Sequence, residues 1–90
     1  MPYVYEELKP RVFTETGSVM FTHIRDRIRR LLRETGAIAM GAAIGDCTGD
    51  SWTMLACVDR LVELDELREV GQAARGQDRV FVPGPEWVAV

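Results

Sequence analysis

The chain is poor in the groups that catalytic and metal-binding domains depend on. Its 90 residues hold two cysteines, Cys47 and Cys57, and one histidine, His23. Two thiols make no disulfide scaffold, so reduced cysteines in a cytoplasmic protein are expected. The ten-residue step from Cys47 to Cys57, with one imidazole in the whole chain, fits no zinc-ligand spacing. No apolar run approaches the roughly 20 residues needed to span a bilayer. Met1 to Lys9 carry Glu6 and Glu7 and no apolar segment, so neither a secretory leader nor a membrane span is expected. A basic excess is missing too: the net charge is −3, whereas nucleic-acid binders usually carry a positive surplus.

What is present is enough apolar material for one modest core. The hydrophobic fraction is 47%, ordinary for a folded domain and too high for a disordered chain. The charge is unevenly spread. Residues 1–35 carry seven basic against five acidic side chains, residues 36–70 two against seven, and residues 71–90 balance.

The organising stretch is Gly49 to Leu67. Asp50 reads as the N-cap of a helix, with Thr48 and Ser51 as near alternatives. Met54, Val58, Leu61 and Val62 recur at helical spacing and predict its inner face, with Leu55 at the margin. The opposite face is Trp52, Ala56, Asp59 and Glu63, flanked by Thr53, Arg60 and Glu66. The helix is expected to end near Asp65, and Glu66 to Val70 to turn extended.

Around this helix the chain divides into an arm (1–17), a folded domain (18–83) and a tail (84–90). In the arm, Tyr3 and Tyr5 alternate with Val4 and Glu6, which suggests extended chain, and Pro10 and Gly17 interrupt any long helix. The arm either packs on the core or pairs with a second subunit. A first long helix is expected from about Ser18 to Thr35, with Phe21, Ile24, Ile28, Leu31 and Leu32 on one face and Gly36 as its stop. Burying those five side chains could supply on the order of 10 kcal/mol before the entropy cost. Its other face carries Arg25, Arg29 and Arg33 in a row, which is either solvated or phosphate-binding.

Ala37–Ala39 reads as a connector and Met40–Ile44 as a brief helix. The Gly-rich segment here has no Gly-Lys-Ser/Thr element, so it is not a phosphate loop. Gly45 to Gly49 is a turn by composition. Leu67–Val70 and Arg79–Val82 predict a hairpin around a loop containing Gly76, closed by Pro83-Gly84-Pro85. Trp87 either closes the edge of the core or belongs to an intermolecular contact.

Helix, connector, helix, turn, helix, hairpin: this order resembles the winged helix–turn–helix family. The run Val58 to Arg68 looks like that family's passage from third helix to first wing strand, with Asp65 where the family usually has glycine. The fold expected is therefore α+β, a three-helix winged helix–turn–helix with a C-terminal β-hairpin wing. The resemblance implies a small non-enzymatic, DNA-binding or transcription-associated regulator. Its contacts to duplex DNA would be Ser51, Trp52, Thr53, Ala56 and Arg60 on the third helix, Arg75, Gln77 and Arg79 on the wing, and Arg25 and Arg29 as phosphate ligands.

The residues themselves also support another reading. The third helix would face a polyanion with Asp59 and Glu63, and Arg60 is its one cation. Trp52, Leu55, Ala56, Asp59 and Glu63 compose a small apolar patch with an acidic rim, suited to a protein partner. No cofactor or metal is expected. His23 reads as an exposed helix residue, and turn and cap roles account for Asp46 and Asp50. A homodimer is a further expectation, since the arm and the Trp87 tail both offer edges.

Overall fold

The computed structural model describes residues 3–71 and 78–87. The first helix of the molecule lies where extended chain was expected. Residues Tyr5–Val12 form α1, which buries Leu8 and Val12 at i and i+4. Pro10 sits inside this helix and removes one intrahelical donor, and Val4 caps it without a side-chain bond. With so little local support, α1 owes its helicity to packing. Four helices, rather than three, are present among the described residues.

Helix α2 spans Glu15–Thr35 and begins three residues earlier than expected. Its cap is Thr14, whose hydroxyl oxygen accepts from the Gly17 amide at 3.0 Å. Gly36, in the left-handed region at φ 77°, stops the helix. Met20, Ile24, Ile28 and Leu32 are its buried stripe, with Phe21 and Leu31 at the edges. The cap explains the earlier start: Thr14 satisfies an orphan amide, and Ser18 lies within the helix.

Strand β1 (Ile38–Ala39) is the connector put to use. It pairs antiparallel with β3 (Val80–Pro83), Ile38 opposite Phe81, and the Met40 amide adds a bond to the Arg79 carbonyl at 2.7 Å. Helix α3 (Met40–Ile44) buries Met40, Ala43 and Ile44. Helix α4 (Ser51–Glu63) follows the turn, capped by Asp50, which accepts from the Trp52 amide and from the Thr53 hydroxyl. Asp65 takes φ 61°, a left-handed turn that an Asp side chain tolerates better than most. Strand β2 (Leu67–Val70) then runs antiparallel to β3, Glu69 opposite Phe81.

The fold is α+β, with a three-stranded antiparallel sheet in the order β1–β3–β2. Phe81 on the central strand is fully buried, as are Ile24, Met40, Ala56, Cys57 and Val58. The chain after β3 is pinned back on the α4–β2 turn: the Gly84 amide donates to Glu66 and the Glu86 amide to Asp65. A Cβ at position 84 would run into the Asp65 carbonyl, so only glycine allows that approach. Trp87 is half-buried against the core.

Candidate functional site

Helix α4 lies at the centre of the molecule, packed by α1, α2, α3 and β2. Its buried arc is wider than its apolar stripe. Thr53, Met54, Ala56, Cys57, Val58 and Leu61 are buried, whereas Val62 is half-buried. Helix α1 is the reason: it covers the side of α4 that was expected to face outward.

That cover is held by polar contacts around an apolar centre. The Tyr3 hydroxyl donates to Asp59 Oδ2 at 2.6 Å, and the Tyr5 hydroxyl donates to Glu63 Oε1 at 3.0 Å. Lys9 meets Glu63 at 2.8 Å, and Arg11 meets Asp50 at 2.6 Å. Burial, and then the bond to a carboxylate, raises both phenol pKa values above their ordinary range. Lys9 and Arg60 hold the Glu63 carboxyl down at about 2, and the Thr53 hydroxyl is the main influence lowering Asp50.

The carboxylate of Asp59 is shared. Besides Tyr3, it accepts from Arg79 Nη2 at 2.7 Å and from Arg79 Nη1 at 3.3 Å. Arg79 also makes a two-pronged contact with Glu69, at 3.1 and 2.9 Å, and lies over the Phe81 ring at 5.2 Å. Its pKa is raised by Glu69 first and then, against the effect of burial, by Asp59. The segment leading into α1, helix α4 and the hairpin therefore meet at Asp59.

Among the described residues, those expected to touch DNA are not all presented at the surface. Thr53 is 7% exposed and Ala56 is 0% exposed, so neither can reach a base edge while α1 is in place. Ser51 is exposed and Trp52 is half-buried. Arg60 pairs with Glu63 at 2.6 Å and lies over Phe13. Arg29 pairs with Glu66 at 2.8 Å, and Arg79 is held as above. Arg25 stacks on Phe21 at 5.5 Å and has no carboxylate partner among the described residues. The Nε atoms of Arg25 and Arg29 are buried without a hydrogen bond. Arg75 and Gln77 lie outside the described residues.

The apolar patch expected for a protein partner is also altered. Ala56 is lost to the core, Asp59 is half-buried in its ion pair, and Glu63 is tied to α1. Trp52, Leu55 and Val62 remain half-buried and pack against the core.

A feature with no sequence signal is a cleft of about 600 Å³ between the first turns of α2 and the α3–α4 loop. Glu15, Val19, Met20 and His23 line one wall, and Asp46, Cys47 and Thr48 the other. The Cys47 thiol donates to the Thr48 carbonyl at 3.7 Å, and burial raises its pKa, which disfavours the thiolate. Among the described residues no three His, Cys, Asp or Glu side chains are grouped to hold a metal ion. No helix among them is long and apolar enough to cross a membrane. Comparison with protein-family models, with curated proteins and with solved structures finds no match for the chain.

Proposed function

We propose that this chain is a small non-enzymatic interaction module on a winged-helix scaffold, and that it contacts a protein rather than reading DNA. The order of elements supports the scaffold: α2, then β1, then α3–turn–α4, then the β2–β3 hairpin, with β1 on the far side of β3 from β2. One observation carries the rest. The face of α4 that a groove-reading helix would present is occupied by α1, and its two carboxylates are already engaged there. What α4 still offers a partner is the exposed part of its half-buried Trp52, Leu55 and Val62 side chains.

A second reading keeps DNA as the partner and moves the contact to α2. It rests on Arg25, Arg30 and Arg33, which form no ion pair among the described residues, so their charge is open to phosphate. Titration of labelled duplex DNA at low ionic strength separates the two. The module reading expects no saturable binding. Salt-sensitive binding that is lost in Arg30→Glu/Arg33→Glu would replace it with the α2 reading.

A further inference from the structure

We propose that α1 is an exchangeable element, so that the contacts it makes with its own α4 also form between two copies of this chain. The occupant of the α4 face would then be α1 of a second copy, whether or not the module takes another partner. Only Phe13 and Thr14 join α1 to α2. The contacts that hold α1 are specific. Leu8 and Val12 supply the apolar centre, with Tyr3 on Asp59, Lys9 and Tyr5 on Glu63, and Arg11 on Asp50 around it.

The corner that folds α1 back on its own chain is sterically narrow. Thr14 leaves the helical region at ψ 165°, and its hydroxyl both donates to the Arg11 carbonyl and accepts from the Gly17 amide. Gly17 is buried against that corner, where a Cβ would run into the Arg11 carbonyl oxygen. Glycine lowers helix propensity even here in the first turn of α2, so its use there matches the demand of the corner. If Thr14 becomes helical, α1 and α2 continue as one rod. That rod carries α1 away from its own α4, at about 1.5 Å per residue, and leaves it within reach of another copy's. The exchanged interface is closed and two-fold, because each copy gives an α1 and receives one.

The test is Gly17→Ala in a Cys47→Ser background, followed by light scattering and hydrogen exchange. The proposal expects a species of twice the monomer mass in which the α1 amides stay protected. A folded monomer overturns it, whether α1 is protected (the corner tolerates a side chain) or unprotected (α1 leaves without being exchanged). If Gly17→Ala does not fold, Lys9→Cys and Glu63→Cys chains that keep Gly17 are mixed in denaturant and refolded at high concentration. A disulfide joining the two kinds of chain is the expected product, because residues 9 and 63 meet only across the α1–α4 contact. Its absence overturns the proposal.

Discussion

Single residues decide the geometry at the turn after α4. Asp65 holds φ 61°, where a side chain costs roughly 1 kcal/mol relative to glycine. Asp65→Gly is therefore expected to raise stability by up to about 1 kcal/mol, and Asp65→Val to lower it by about 1–2 kcal/mol, because a β-branched side chain fits this region worst. Urea unfolding of both variants checks the pair. Equal midpoints would mean that the turn is not under backbone strain. This residue was legible in the sequence, because a helix stripe ending there and a strand starting after it require a tight reversal. The burial of Ala56 was not legible. A helical wheel sorts residues by the chain's own periodicity, and Ala56 opposes the main stripe. It is buried because another element lies over it.

At the scale of elements, α1 is the segment that local reasoning misread. Pro10 argued against a helix, and Tyr3 and Tyr5 suggested alternation. Two buried side chains, and the polar contacts of Tyr5 and Lys9 with Glu63 and of Arg11 with Asp50, all supplied by tertiary structure, outweigh those local preferences. By contrast, the apolar stripe and Gly36 stop of α2 and the cap of α4 follow from spacing and capping residues, which act over a few positions. The pairing of β1 with β3 joins residues some 40 positions apart, beyond what spacing encodes. The contacts at Asp59 and Arg11 differ in exposure, so they are expected to differ in worth. The Asp59 and Arg79 side chains are 13% and 17% exposed, and Asp59→Ala leaves both Tyr3 and Arg79 short of an acceptor. A loss of about 2–4 kcal/mol is expected. The Arg11 and Asp50 side chains are 56% and 48% exposed, and Arg11→Ala is expected to cost under about 1 kcal/mol. Chemical denaturation of the two variants side by side tests the ranking, which fails if Arg11→Ala proves the more damaging.

For the whole molecule, the uneven charge of the sequence has a structural meaning. The basic surplus of residues 1–35 meets the acidic surplus of residues 36–70: Lys9 with Glu63, Arg11 with Asp50, Arg27 with Asp46, and Arg29 with Glu66. Charged faces that look separate in the sequence are largely complementary contacts in the fold. This predicts how stability depends on pH. The Glu63 carboxyl titrates at about 2 in the folded chain, below its ordinary 4.5, and the Asp50 pKa is lowered as well. A carboxylate with a depressed folded pKa adds stability that is fully present above its unfolded pKa and is lost as pH falls through the folded one. For Glu63 that window runs from about pH 4.5 down to about 2. Glu63→Gln removes the titrating group, so the variant is expected to be less stable than the parent at pH 7 and to lose less between those limits. The gap between their urea midpoints should close on acidification, as protonated Glu63 comes to resemble the neutral amide. A gap that stays constant down to pH 2 would mean that the charge of Glu63, and with it the Lys9–Glu63 pair between α1 and α4, does not contribute to the fold.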